Sequence, residues 1–214
     1  MGILKAFFNN TGKPEGLLGR WMVGSMNYAH AAVSDWGMGH LPAAVLGEIA
    51  ELGCGGGRNV GALLRRFPSA RVTALDYSAI SVERTRRINR QAVQGGRCRV
   101  VQGDVSRLPF EDERFDLATA FETVYFWPGP AESFREVYRV LKPGGLFLIV
   151  NEADGMDPRN DRWLGVIDGL RIFSKEQLSA FLTEAGFSRI EVDHDPKKHR
   201  LCVLAVRPMP PHAP

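Results

Sequence analysis

Cysteine is scarce in this chain of 214 residues, and the three present, Cys54, Cys98 and Cys202, are odd in number and far apart. A disulfide framework needs an even set, and a cysteine metal centre needs close spacing. Neither pattern exists, so no metal is expected, and a reduced, cytoplasmic setting is. Long apolar runs are missing too, which excludes a membrane-spanning helix and a membrane partner. The opening stretch "MGILKAFFNNTGKPEG" lacks the apolar core and small-residue cleavage site of a signal peptide. Its Met-Gly start has Ala6 where myristoylation wants Ser or Thr. A large excess of charge of one sign is missing as well: the net value is +3, which does not mark a nucleic-acid binder. What is there is 44% apolar and 24% charged, the composition of a globular domain with a full core.

Seven short stretches rich in β-branched or apolar residues read as strands: "EIAEL" at 48–52, "RVTAL" at 71–75, "CRVVQ" at 98–102, "FDLATAF" at 115–121, "LFLIVN" at 146–151, "RIEVDH" at 189–194 and "RLCVLAV" at 200–206. Helical periodicity separates most of them. It predicts one helix over 78–93 with Val82, Thr85, Ile88 and Ala92 inward, one over 130–141, and one over 174–185 opened by the capping pair Ser174 and Gln177. Alternating strands and helices imply right-handed crossovers and a Rossmann-like α/β fold: a mostly parallel seven-stranded sheet with helices on both faces. Only "DPKKH" joins the last two strands, too little for a crossover, so they form an antiparallel pair. Residues 1–45 read as a helical cap, 46–207 as the main domain with 152–173 as a candidate lid, and 208–214 as a tail.

The first strand runs into "ELGCGGGRN" and then a helix. Glycine costs conformational entropy to order, so such a cluster needs a reason; a ligand lying against bare backbone is one. A phosphate loop requires Gly-Lys-Ser/Thr, which is absent. A dinucleotide fingerprint requires a third glycine where Arg58 or Val60 stands. What remains is Glu51, Gly53, Gly55 and Gly57 at alternate positions.

That turn, with "TALDYS" at 73–78, "VQGDVSRLPF" at 101–110, "FDLATAFETVYFWP" at 115–128 and "FREVYRVLKPGGLFLIV" at 134–150, resembles in order and spacing the class I S-adenosylmethionine-dependent methyltransferases. The resemblance covers about residues 45–207. It implies S-adenosylmethionine as cofactor, with S-adenosylhomocysteine as its product. Asp76 is expected on the ribose diol, with Tyr77 and Ser78 beside it on the rim. Asp104 and Val105 are expected at the adenine. Glu51 is expected toward the ammonium end, and Gly53, Cys54, Gly55, Gly57 and Asn59 along the methionine part. Phe121 and Glu122 are expected beside the sulfonium. Cys54 reads as a packing residue rather than a nucleophile, because no histidine base accompanies it.

Methyl transfer is an in-line displacement that needs alignment, exclusion of water and sometimes a base. Glu122, Tyr125 and His30 are the leading catalytic candidates, with Tyr28, Glu152 and Asp154 behind them, and Trp127 is expected on the acceptor wall. No Asn/Asp-Pro-Pro-Tyr/Phe follows the fourth strand and no cysteine group is present, so a small-molecule acceptor is expected, with O, N or C as the acceptor atom, on a monomer or homodimer. A non-methylating or non-catalytic S-adenosylmethionine binder is the alternative reading, and a dinucleotide oxidoreductase is the outside one.

Overall fold

The computed structural model describes residues 29–43, 47–160 and 164–210. Seven strands form one sheet in the order β3-β2-β1-β4-β5-β7-β6. They are β1 (Glu48–Leu52), β2 (Arg71–Asp76), β3 (Cys98–Gln102), β4 (Phe115–Phe121), β5 (Leu141–Asn151), β6 (Ser188–Asp195) and β7 (Arg200–Val206). The first five are mutually parallel, and β7 runs antiparallel to both β5 and β6. The strand order reverses between β1 and β4, where an open sheet leaves a crevice at its carboxyl edge.

Alternation along the strands feeds two cores. Ile49, Val72, Leu117, Leu148 and Val150 face α1 (Ala31–Met38), α2 (Arg58–Arg66) and α3 (Ala79–Ile88), meeting Val33, Val60, Leu63 and Val82. Ala50, Ala118, Phe147, Ile149 and Val203 face the other way, toward Phe134 and Val137 of α5 (Pro130–Val140) and Leu178 and Leu182 of α6 (Lys175–Glu184). Strands covered on both sides are near-continuously apolar, which is why they stood out in the sequence. The Ser174–Gln177 capping box is present as expected.

Three expectations need correction. The helix foreseen over 78–93 breaks at Asn89, leaving α3 and a short α4 (Arg90–Gln94). The Asn89 amide is buried and donates to the carbonyls of Gly57 and Thr85, so a polar tether displaces Ile88, which is 48% exposed. Secondly, β5 begins at Leu141 rather than 146, because "KPGG" is absorbed into the strand. The register shifts there, and Gly144 and Gly145 exchange backbone hydrogen bonds with Arg207. Thirdly, an inward face at Val82, Thr85 and Ile88 implies solvated arginines opposite it, yet those of 84–99 also tie the structure together. Arg86 donates to the Val100 carbonyl, and Arg97 caps the carbonyls of Leu64 and Phe67. Of the cap over 1–45, the described part is α1; Tyr28 lies outside the described residues.

Candidate active site

The glycine turn after β1 is closed by two backbone bonds, from the N–H groups of Gly53 and Cys54 to the carbonyl of Leu75, at 2.8 and 2.9 Å. Its glycines serve different ends. Gly53 has φ +79°, and a Cβ there would strike the Thr123 side chain. Gly57 has φ +80° and starts α2, with Thr85 Cα 2.8 Å from where its Cβ would sit. Those two positions are glycine because the protein's own atoms leave no room and the backbone is left-handed there. Gly55 is different, since a Cβ there meets nothing within 4 Å. The open space is a cavity of about 350 Å³, within the range of small-ligand sites.

Asp76, at the end of β2, is 6% exposed. Its Oδ2 accepts from Gly55 N–H at 2.8 Å and its Oδ1 from Ser78 N–H at 2.9 Å. Burial raises its pKa against those bonds. The Ser81 side chain bonds the same carboxylate, and the acceptor capacity that remains is open to a ligand hydroxyl. Asp104 is exposed on the same rim, and the Ser106 N–H and hydroxyl both donate to its Oδ1 at 2.8 Å. Cys54, Gly55, Asn59, Asp76, Tyr77, Asp104, Val105, Phe121 and Glu122 all line the cavity, as does Gly53.

Glu51, Gly57, Ser78 and Tyr125 stand behind the described lining. Ser78 is the N-cap of α3. Glu51 is fully enclosed, and burial pushes its carboxyl up to about 8. The Thr119 hydroxyl contacts Glu51 Oε2 and lies 3.2 Å from the Ala50 carbonyl. One hydroxyl hydrogen cannot serve two acceptors, but a protonated Glu51 donating to Thr119, which then donates to Ala50, satisfies all three. The Cys54 thiol is buried, held well above its ordinary pKa by desolvation, and contacted by the Thr85 hydroxyl at 3.4 Å. It packs, as expected.

The far wall is aromatic and acidic. Phe121, Phe126 and Trp127 lie on it with Glu122, His30 and Ser34. Glu122 has φ +56°, a conformation that costs a non-glycine residue about 1–2 kcal/mol and marks a site where strain is maintained. Its Oε1 accepts from Glu152 N–H at 2.5 Å, and Tyr125 donates to the same carboxylate. Burial, then the Glu152 charge, raises Glu122 to about 8. Tyr125 is buried, and its hydroxyl also accepts from Ala153 N–H at 3.0 Å. The structure therefore places Tyr125 as a prop for Glu122, whereas Trp127 lines the wall as foreseen.

His30 Nδ1 lies 3.1 Å from Glu152 Oε2 and 3.7 Å from Glu122 Oε2, and neither contact meets hydrogen-bond geometry. Burial opposes a charged imidazole, and the Glu152 and Glu122 carboxylates outweigh it, so its pKa ends raised. All three residues are candidates on sequence, but no spacing links them; the fold brings them together from three separate elements. Arg58 lines the cavity and grips both oxygens of Asp35 at 2.6 Å, and Asn59 donates to Ser34. The glycine turn and the start of α2 are thereby fastened to α1. The candidate lid is tied down as well. Its Arg171 donates to the carbonyls of Tyr125 and Trp127, and its Asp154 accepts from His194 at 2.8 Å with His199 at 3.3 Å. Asp154 thus belongs to the anchor of the loop.

A parallel sheet with a reversed final strand, a glycine turn after β1 and acids closing β2 and β3 define the class I methyltransferase fold. Comparison with known proteins agrees. Residues 50–149 match the family model described as a methyltransferase domain. Cycloartenol-C-24-methyltransferase 1 of Oryza sativa subsp. japonica is 31% identical over 67% of this chain and 44% of its own length. Fatty-acid O-methyltransferase of Mycolicibacterium smegmatis is 38% identical over 51% of this chain and 39% of its own. The chain thus spans less than half the length of these two curated relatives. Among solved structures, geranyl diphosphate C-methyltransferase from Streptomyces coelicolor, in complex with Mg²⁺, geranyl-S-thiolodiphosphate and S-adenosylhomocysteine, aligns with TM-score 0.73 over 83% of this chain and 76% of its own at 16% identity. The [4+2]-cyclase SpnF aligns with TM-score 0.72 over 84% and 81% at 20% identity. Those two likenesses are of fold. Among the described residues, no helix is long and apolar enough to cross a membrane.

Proposed function

We propose that this chain is an S-adenosylmethionine-dependent methyltransferase acting on a small organic acceptor. The observation that supports it most is one cavity lined by Asp76, Asp104 and the glycine turn on one side and by Glu122, His30 and Trp127 on the other. In this reading Asp76 receives both ribose hydroxyls, and the adenine amino group meets Asp104 beside Val105. The methionine part lies over Gly55, where there is room. Glu51 senses the ammonium end from below, and that cation favours its charged form. The bound cofactor supplies an activated methyl group. The chain's own residues align the acceptor, exclude water with Phe126 and Trp127, and hold the acceptor proton near Glu122 and His30, with Tyr125 keeping Glu122 in place. Sterol, fatty-acid and geranyl diphosphate methyltransferases among the relatives and neighbours favour an apolar acceptor. The three buried free thiols suit a reducing compartment.

Isothermal titration with S-adenosylmethionine, S-adenosylhomocysteine and NAD tests the pocket. Micromolar binding of the first two and none of NAD is expected. Binding of NAD alone would overturn the reading. Release of S-adenosylhomocysteine during turnover with a panel of apolar acceptors separates methyl transfer from a non-methylating use of the same fold.

A further inference from the structure

His30, Glu122 and Glu152 come from the start of α1, the end of β4 and the end of β5, and one donor atom from each lies within 4.8 Å of the others. Two donors held ~2.1 Å from one ion at ordinary coordination angles are ~3–3.4 Å apart. Of the two separations from His30 Nδ1 to the carboxylate oxygens, 3.1 Å falls in that range and 3.7 Å lies a little beyond it. A hydrogen-bonded triad would align the imidazole N–H on one acceptor, yet Nδ1 is buried and aligned on neither. It faces the gap between two oxygens, as a ligand to a shared ion does. Charge points the same way. Among the described residues, both glutamates pair only with His30, and no lysine or arginine is in ion-pair contact with either. A largely buried carboxylate next to a second one calls for a cation.

We propose that these three side chains form a divalent-cation site on the acceptor side of the cavity. Resting on the methyltransferase reading, the proposal also names the acceptor class: a hydroxyl-bearing molecule whose oxygen joins the ion. His30 and Glu122 line the cavity, so the remaining positions on the ion face the space where an acceptor would sit. A mixed imidazole and carboxylate set suits Mn²⁺, Fe²⁺ or Zn²⁺. The ion acidifies the hydroxyl, whose proton leaves to water. The oxygen lone pair then forms the new O–C bond, the S–C bond breaks, and its electron pair stays on sulfur as neutral S-adenosylhomocysteine.

The test is Mn²⁺ binding by the full chain, read by loss of the free-ion paramagnetic resonance signal, with S-adenosylhomocysteine binding measured calorimetrically on the same sample. One Mn²⁺ per chain is expected, weakened at least ~tenfold in Glu152→Gln and in His30→Ala. Glu122→Gln is a third variant, to be included if it folds by circular dichroism; the first two residues are only partly buried and carry the test without it. Uptake that is undiminished in these variants would overturn the site, as would no uptake by a chain that binds S-adenosylhomocysteine. In that last case the methyltransferase reading stands alone. Mn²⁺ uptake without nucleoside binding would keep the site and remove the methyltransferase reading.

Discussion

The two halves of the cavity hold their buried carboxylates in different ways. On the cofactor side, Asp76 is gripped by two backbone N–H groups, and the loops that donate them are set by strand ends. On the acceptor side, Glu122 is positioned by a left-handed backbone, a tyrosine and a backbone N–H, and its charge is answered by a histidine from another element. A backbone cradle suits a ligand that never changes. An arrangement of side chains suits a site whose occupant does.

The largest expected effect concerns the two carboxyls raised to about 8, Glu51 on one side and Glu122 on the other. Unfolded, each releases its proton near pH 4.5; folded, each keeps it to about 8. The folded state therefore binds more protons in that window, and stability falls as pH rises through it, by up to ~1.4 kcal/mol per pH unit for each group. Thermal melting should show a decline from pH 5 to 8. Glu51→Gln, which mimics the protonated form, should remove about half of it, and a slope unaltered by that change would break the assignment.

Next comes ligand binding. Asp76→Ala should weaken S-adenosylhomocysteine at least ~tenfold by titration, a loss of about 1.5–3 kcal/mol. Glu122→Gln should lower turnover while leaving that affinity within about threefold, because its carboxyl is assigned to the acceptor side. Equal losses in both variants would erase the distinction between the halves.

Within the glycine turn, Gly53→Ala should cost roughly 1–3 kcal/mol of stability, since it combines an unfavourable φ with a collision at Thr123. Gly55→Ala should cost less, ~1 kcal/mol, but should impair nucleoside binding more than its stability loss accounts for. Chemical denaturation and titration of both variants compare the two. The smallest effect is expected at the Arg58–Asp35 pair, whose aspartate is largely exposed. Asp35→Asn should lower stability by about 0.2–1 kcal/mol, checked by the same denaturation.

The same contrast governs what could be read from sequence. The sheet was legible because strands buried on two faces are apolar throughout, and five of the seven run as foreseen or differ by one residue at one end. Sequence starts the fifth strand too late, at 146, because the proline and glycines of "KPGG" signal a turn locally, whereas the pairing of that stretch with Arg207 depends on the far end of the chain. On the cofactor side, Asp76, Asp104 and the turn were legible because each sits at a strand end with a fixed sequence spacing. The acceptor side offered no such spacing. Glu122 and Glu152 lie 30 residues apart, and His30 is 92 residues before Glu122, brought in by helix packing through Gly37 against Val150. The cluster became visible only when three elements were placed in space. The glycine cluster was legible as a signal but not in its cause, since Gly53 and Gly57 make room for Thr123 and Thr85.

The grip of Arg58 on Asp35 has a mechanical consequence. It ties the glycine turn to the helix that follows His30, so a displacement of the turn is carried to the opposite wall of the cavity.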